Sequence, residues 1–182
     1  MKKLWSLLFV LGTCACSQVS AQNFTLSSAD LDGQFTSEFI AANFGCHGAN
    51  KSPELHWVNA PAGTRSYAVT MYDLDAPTGS GFWHWVLIDI PTGVTALKRG
   101  AGNIDAGLAP SGSLHRMNDT GQSGYQGPCP GAGEAAHRYL ITVYAISTDK
   151  TAAPANAPAA LTGFILNKSA LAKASLIVYC QR

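Results

Sequence analysis

The apolar residues of this chain fall into short runs with the length of β-strands, and turn-rich segments separate them. Two runs, Ser66–Tyr72 and Phe82–Ile90, flank an insert that contains acids, a proline and glycines. The segment Arg138–Ile146 is rich in β-branched and aromatic residues and is the strongest strand prediction. Shorter strands are predicted at Phe24–Ser27, Leu55–Val58 and Leu176–Cys180.

Helical patterning is confined to the C-terminal part of the chain. A helix is predicted at Ala159–Asn167, because Leu161, Phe164 and Ile165 share one side. Many short strands, long turns and so little helix favour an all-β sandwich with one or two short C-terminal helices. Strands and helices do not alternate, which argues against a parallel α/β sheet.

Strict alternation along the second central run predicts which side chains share a face. Trp83 and Trp85 are expected on one face, with Phe82, His84 and Val86 on the other. A polar histidine among bulky apolar residues is either a hydrogen-bonded core residue or part of a pocket.

Polar residues follow the preceding run. Asp73 and Asp75 lie at its end, so carboxylates and the His84 imidazole are expected at one end of a sheet. The Ala76-Pro77 bond that follows is a candidate for a cis peptide. The alternative for this stretch is a hairpin with a polar loop and no further role.

A long aperiodic segment covers Thr92–Ala136 and is dominated by Gly, Asp, Asn, Ser and Pro. A loop of this length inside a compact domain is unusual and often functional.

Length and charge set the broad class. The chain of 182 residues fits one domain with a real core. The formal net charge is +1, and the lysines and arginines are scattered. No basic stripe points to nucleic acid, so we predict no nucleic-acid partner.

The N-terminus has the organisation of an export signal. Met1–Lys3 is basic, and Leu4–Gly12 is apolar but too short to span a bilayer. Val19–Ala21 fits a cleavage site, which makes residues 1–21 a signal peptide and Gln22 the first residue of the mature chain. We therefore expect a periplasmic or secreted protein with no transmembrane segment in its mature form.

A lipoprotein is the alternative. Leu11–Cys14 forms an imperfect lipid-attachment box, in which Thr13 before the cysteine fits poorly. Three cysteines remain in the mature chain, Cys46, Cys129 and Cys180. In an exported protein they predict one disulfide and one leftover thiol, and the sequence alone allows three pairings.

Two kinds of enzyme site have weak support. The segment Gly121–Gly124 resembles a serine nucleophile turn, but Tyr125 stands where a glycine is needed and no strand precedes it. Candidate metal ligands are His84, His137, Asp73 and Cys129, yet none of the usual zinc spacings occurs. We predict no metal and no cofactor.

A small anion pocket fits the residue types better. The glycine-rich Gly127–Gly133 segment offers backbone N–H groups, and His84, His137 and Tyr139 offer side-chain donors. A carboxylate such as Asp73 does not bind an anion directly, but it can orient a histidine and favour its charged form. This combination suits a phosphorylated compound or a zwitterionic head group.

These residues together resemble a known family. The motifs are Asp73–Pro77, His84, Tyr125–Gly133 and His137–Tyr139, with Phe44–Trp57 and Asn118-Asp119 in addition. The set resembles the phosphatidylethanolamine-binding protein family, in particular its bacterial Raf kinase inhibitor-like branch of YbhB/YbcL type. The resemblance covers residues 24–182, and the ordered set is specific where each motif alone is weak.

The resemblance implies a single domain at residues 22–182, built on two antiparallel sheets with an anion-binding pocket at one end. Carried over by position, the ligand-binding set is Asp73, Asp75, His84, Tyr125, Gly127, Pro128, Cys129, Pro130, His137 and Tyr139. Together with the export signal and two cysteines in Gly-rich loops, the resemblance also implies a Cys46–Cys129 disulfide.

This sequence departs from the family pattern at two places. Leu74 replaces a usual proline, and Gly131-Ala132 replaces a proline-containing pair that carries a cation in some members. Both changes lie next to the implied pocket, and both leave the ligand preference open.

The resulting expectation is an exported, non-enzymatic protein that binds a small anionic or phosphorylated ligand and has an inhibitor or regulatory role. The alternative is a secreted protease inhibitor or host-interacting protein with a vestigial pocket, and a hydrolase comes third. A protein partner and a homodimer remain open.

Overall fold

The computed structural model describes residues 23–182, so the predicted signal peptide and lipid-attachment box lie outside the described residues. The strands are β1 Thr25–Ser27, β2 Leu55–Val58, β3 Ser66–Asp73, β4 Phe82–Pro91, β5 Ala96–Leu97, β6 Leu114–His115, β7 His137–Ile146 and β8 Ala170–Cys180. The helix α1 covers Ala159–Ser169, directly before β8. The predicted β-rich fold is confirmed, although the final strand begins six residues earlier than predicted, at Ala170 instead of Leu176.

The strands form two antiparallel sheets. The smaller sheet has the order β1-β2-β5, and the larger has the order β6-β4-β3-β7-β8. In the larger sheet β3 lies between β4 and β7, and nearly every residue of β3 is buried. A strand covered on both faces gains from apolar residues at successive positions, which explains why Ser66–Asp73 shows no alternation.

The main core lies between the two sheets. Leu55 and Trp57 of the smaller sheet pack with Met71, Trp85 and Ile141 of the larger one. A second core forms on the opposite face of the larger sheet, where α1 covers it; its buried members are Ala68, Val86, Ile88, Tyr144, Ile146, Ala159 and Leu166. The domain therefore has three layers, two sheets and one short helix.

Helix α1 approaches the larger sheet most closely at Gly163. A Cβ atom on Gly163 would lie 2.6 Å from Cη2 of Trp83, so no side chain fits there without a shift. This contact places Trp83 on the helix side of the sheet.

The prediction that Trp83 and Trp85 share a face is wrong. Trp83 packs against the helix-side core, whereas Trp85 is buried in the core between the sheets. The pairing of β3 with β4 slips here: Met71 is opposite Trp85 and Tyr72 is opposite Trp83, which leaves His84 as an extra residue. Such a β-bulge redirects side chains, and it is the reason that simple alternation fails.

The long Thr92–Ala136 segment is irregular, with a 3₁₀ turn at Ile104–Ala106 and the two-residue strands β5 and β6. Part of it runs beside β4. The backbone N–H groups of Arg116, Asp119 and Gln126 donate to the carbonyls of Val86, Trp83 and His84, respectively. The segment therefore extends the edge of the sheet and fixes its own residues against the bulge.

The Ala76-Pro77 bond, a candidate cis peptide, is trans, the form that X-Pro bonds prefer. Within residues 23–182, no helix combines the length and the apolar character that crossing a membrane requires.

Candidate anion-binding site

A cavity of about 290 Å³ lies at one end of the larger sheet, where β3 ends and where β4 and β7 begin. Of the ten predicted ligand-binding residues, those that line it are Asp73, His84, Gly127, Cys129, Pro130, His137 and Tyr139. The sheet brings these residues together because antiparallel pairing sets Asp73 opposite Tyr139, two residues beyond His137.

Asp73 and His137 form a buried pair in this cavity. Oδ2 of Asp73 lies 2.8 Å from Nδ1 of His137, and both side chains are buried. The other carboxylate oxygen accepts the backbone N–H of Asp75 at 2.9 Å. A carboxylate only accepts, so the proton of this contact is on Nδ1, and the ring is oriented with Nε2 away from Asp73.

His84 is held by the polypeptide backbone. Its Nδ1 lies 2.9 Å from the carbonyl oxygen of Gln126, and the backbone N–H of Gln126 donates to the carbonyl of His84 at 2.9 Å. A carbonyl is only an acceptor, so Nδ1 carries the proton and Nε2 is an acceptor while the ring is neutral. Burial lowers the pKa of His84, and the Gln126 carbonyl and the Asp73 charge oppose that shift.

Tyr139 lies between the two histidines. Its ring is 5.2 Å from the His84 ring and 6.4 Å from the His137 ring, measured between centroids. The hydroxyl is buried and has no hydrogen-bond partner among the described residues. Burial, and next the charge of Asp73, raise the pKa of this hydroxyl, which therefore stays a neutral donor.

The cavity wall opposite the sheet comes from two loops that a disulfide joins. Cys46 and Cys129 are bonded, which confirms the predicted pairing, and Cys180 is free and buried. Gly127 lies so close to the neighbouring loop that a Cβ atom would be 2.4 Å from the carbonyl oxygen of Phe39. Its N–H donates to Oδ1 of Asn50 at 2.7 Å. The wall is therefore fixed at several points.

Three residues of the predicted set lie outside the cavity lining. The Tyr125 ring packs edge-on against Trp85 in the core, and its hydroxyl donates to the carbonyl of Phe39 at 2.9 Å. Asp75 accepts two bonds from the Arg138 guanidinium, at 2.9 and 2.7 Å, which hold its pKa at about 2. Pro128 contributes its carbonyl to the N–H of Ala41. Each of the three therefore bonds to another part of the protein and does not line this cavity.

Comparison with known proteins agrees with the motifs. The sequence model of the family described as "Phosphatidylethanolamine-binding protein" matches residues 21–181. The chain belongs to this family. The predicted resemblance is thereby confirmed.

Within this family, the chain is similar to two proteins of Escherichia coli. The UPF0098 protein YbcL of Escherichia coli K12 is 41% identical over 160 residues, 88% of this chain and 87% of that protein. The crystal structure of E. coli YbcL, described as a new member of the mammalian PEBP family, superposes with a TM-score of 0.84 over 87% of this chain and 98% of that one, at 40% identity. YbhB of the same organism is 43% identical over 134 residues, 72% of this chain and 82% of that protein.

A more distant relative is named as a lipoprotein. LppC of Mycobacterium tuberculosis is 38% identical over 105 residues, which cover 58% of this chain and 48% of LppC.

Eight residues that line the cavity of this phosphatidylethanolamine-binding protein domain lie outside the predicted ligand-binding set. They are Phe44, Ala76, Pro77, Thr78, Phe82, Gln126, Gly131 and Glu134. Most of them lie within one of the family motifs or next to a predicted ligand-binding residue. Their position in the sequence therefore could have indicated that they line the pocket. Glu134 directly follows the Tyr125–Gly133 motif, but no motif assigned it a role in the pocket.

Glu134 contributes a second carboxylate to the cavity. Its Oε2 accepts the N–H of Gly131 at 2.9 Å and lies 3.3 Å from Nε2 of His137. The His137 ring therefore lies between two carboxylates, Asp73 on Nδ1 and Glu134 on Nε2.

The alternative hypotheses concerned a metal site and a serine nucleophile. Within residues 23–182, no three His, Cys, Asp or Glu side chains are placed to hold a metal ion. The sulfur of Cys129 is already bonded to Cys46. Ser123 is exposed, and its hydroxyl makes no hydrogen bond to any histidine of the described chain.

Proposed function

We propose that this protein binds a small anionic or phosphorylated group in the cavity at the end of its larger sheet, and that it does so without catalysing a reaction. The observation that carries the proposal is the convergence of His84, His137 and Tyr139 on one cavity, with the Gly127–Gly131 backbone as its wall.

The donors suit phosphate oxygens. Asp73 orients His137 through Nδ1, so Nε2 is the ring nitrogen that remains for a ligand oxygen. The Tyr139 hydroxyl is buried without a hydrogen-bond partner among the described residues, and its residue lines the cavity between the two histidines. Nε2 of His84 accepts from a phosphate hydroxyl while the ring is neutral and donates to an oxyanion when it is protonated.

The size of the cavity also supports a small ligand. A volume of about 290 Å³ lies at the lower end of the range for ligand pockets, which begins at roughly 300 Å³. A head group or a free phosphorylated metabolite fits this volume, whereas an entire lipid does not.

The arrangement of cysteine, serine and histidine side chains supports a binding role. Within the described residues, the cysteine on the cavity wall is oxidised and no serine hydroxyl contacts a histidine. A nucleophile paired with a base is the usual requirement for covalent hydrolysis. We therefore infer that ligand occupancy serves a regulatory or inhibitory role, in keeping with the family.

The setting that we propose is the periplasm or the exterior of the cell. The basic and apolar N-terminal segment with its Val19–Ala21 site supports export, and a disulfide persists in oxidising compartments. The lipoprotein name of LppC supports an envelope location for that relative and, by similarity, for this chain.

Titration with inorganic phosphate and with phosphoethanolamine, followed by the imidazole signals in NMR spectra, tests the binding proposal. We expect the His84 and His137 signals to move and those of His56 and His47, which lie outside the cavity, to stay. His84→Ala should lower the phosphate affinity by more than tenfold, because charge-assisted hydrogen bonds contribute roughly 1.5–3 kcal/mol each. Equal shifts at all four histidines, or equal affinity in folded His84→Ala, would contradict the assignment.

A further inference from the structure

The carboxylate of Glu134 lines the cavity although its side chain is partly exposed to solvent. Its side chain is 47% exposed, yet Oε2 accepts the N–H of Gly131 at 2.9 Å and lies 3.3 Å from Nε2 of His137. An exposed carboxylate is well solvated, so its hydrogen bond from the Gly131 N–H and its position beside the His137 ring indicate that the site itself attracts an anionic oxygen.

A phosphate would need the same donors. A backbone N–H of a glycine-rich turn and an imidazole N–H are groups that bind oxyanions, and Nε2 of His137 is the atom through which the proposed function has this histidine contact the ligand. Glu134 and a bound phosphate cannot both occupy that position.

We propose that Glu134 is a tethered competitor: its carboxylate fills the anion position of the empty site, and a phosphorylated ligand binds by displacing it. Glu134 thereby determines which anions the site accepts. The inference rests on the proposed function, and it assigns a selecting residue to that same cavity.

The local backbone allows the side chain alone to move. The N–H of Glu134 donates to the carbonyl of Gly131 at 3.2 Å, and its own carbonyl accepts from Nε2 of Gln181 at 3.3 Å. The N–H of Gly133 donates to the carbonyl of Arg182 at 3.1 Å. Because the turn is fixed to the C-terminus, rotation of the exposed Glu134 side chain vacates the site without a loop rearrangement.

Gly131 makes the arrangement possible. A Cβ atom at this position would lie 2.6 Å from Cδ and Oε1 of Glu134 and would push the carboxylate away. A proline here would lack the N–H that Glu134 accepts. The departure from the family pattern at Gly131-Ala132 therefore lies at the residue whose N–H binds the Glu134 carboxylate.

Charge gives the competitor its selectivity. Among the described residues, no lysine or arginine lines the cavity, and the carboxylates of Asp73 and Glu134 both do. A phosphate monoester carries about −1.5 to −2 charges and three acceptor oxygens. An acetate-like ligand offers only one carboxylate with a single charge, the same group that Glu134 already places in the site. A tethered group competes at an effective concentration in the millimolar range, so weak carboxylate ligands are excluded.

The test compares wild-type protein with Glu134→Ala and Glu134→Gln in titrations with inorganic phosphate and with acetate. Asp105→Asn is the matched control, because it removes one negative charge at an exposed residue that does not line the cavity and has no side-chain hydrogen bond within the described chain. Calorimetry gives the affinities, and the Gly131 amide signal in NMR spectra reports occupancy of the position. Circular dichroism checks that each variant is folded.

We expect Glu134→Ala to bind phosphate about tenfold more tightly than wild type and to gain measurable acetate binding. Glu134→Gln should gain less, because its neutral oxygen still accepts from Gly131, and Asp105→Asn should match wild type. Equal phosphate affinity in Glu134→Ala and wild type would overturn the competitor alone, and so would an equal gain in Asp105→Asn. If phosphate binds neither wild type nor Glu134→Ala, the proposed function fails and the competitor fails with it.

Discussion

The Nδ1 atom of His84 lies 2.9 Å from the carbonyl oxygen of Gln126, and the Gln126 N–H donates back to the carbonyl of His84. This reciprocal pair ties the long loop to the bulged strand β4. It also fixes the neutral His84 ring in the tautomer that leaves Nε2 without a proton.

The stability of the protein should depend on pH through His84. Burial lowers the pKa of this ring below its ordinary value of 6.5, so the unfolded chain binds the proton more readily than the folded one. The free energy of unfolding should therefore fall as the pH drops below about 6.5 towards the folded-state pKa. Urea denaturation at pH 7.5 and 5.5 measures the effect.

His84→Gln is the informative comparison for this pH dependence, because glutamine cannot titrate. His115 also has a pKa lowered by burial, so part of the loss at pH 5.5 should remain in the variant. An unchanged pH slope in His84→Gln would show that His84 is already protonated in the folded protein or that its titration is not linked to folding.

Phosphate binding should depend on the imidazole of His137. His137→Gln keeps a side chain that can donate to Asp73 but removes the ring nitrogen Nε2 from the cavity, so we expect about a tenfold loss of phosphate affinity. Calorimetry gives the affinities. His56→Gln is a matched control at a half-buried position of strand β2 outside the cavity, and a loss of similar size in that variant would exclude a local role for His137.

Reduction of the disulfide should destabilise the domain markedly. The Cys46–Cys129 bond closes a loop with a sequence separation of 83. In the chain-entropy model such a bond contributes about 4.5 kcal/mol, and removal of native disulfides typically costs roughly 2–5 kcal/mol. Urea unfolding with and without reductant measures the difference.

The Cys46→Ser/Cys129→Ser variant provides the control for this measurement, since its stability should be low in both conditions and indifferent to reductant. A wild-type protein that unfolds at the same urea concentration in its oxidised and reduced forms would contradict the predicted contribution.

The mature protein should begin at Gln22. Intact-mass spectrometry of protein recovered from the periplasm should show the loss of residues 1–21, because Val19–Ala21 fits the small-residue cleavage pattern. A diacylglyceryl mass on Cys14 or Cys16 would instead identify a lipoprotein attached to a membrane surface.

The strongly patterned elements of the fold were predictable from the sequence. Leu55–Val58 has the predicted bounds, and β7 differs from its prediction by one residue at the start. Local chemistry decides these segments, since β-branched and aromatic residues between turn signals favour extended backbone wherever the strand packs. The short strands β5 and β6 were missed because two residues carry no periodic signal.

Residue types and the order of the motifs were enough to predict several residues of the candidate site, but not the orientation of every side chain. The sequence named Asp73, His84, His137 and Tyr139, and the structure brings these four to one cavity. It misassigned Tyr125, because a tyrosine in a glycine-rich motif gives no indication whether its hydroxyl faces a ligand or a backbone carbonyl in the core.

The sequence by itself determined the strand segments, the β-rich class and the residue types from which an anion site can be built. Only the tertiary structure decided the direction of the side chains, because the bulge at His84 depends on how β4 pairs with β3 and not on β4 alone. The same holds for Glu134. Its partners Gly131 and His137 are each three residues away along the chain, but the turn also bonds to Gln181 and Arg182, and no pattern within the turn encodes those non-local contacts.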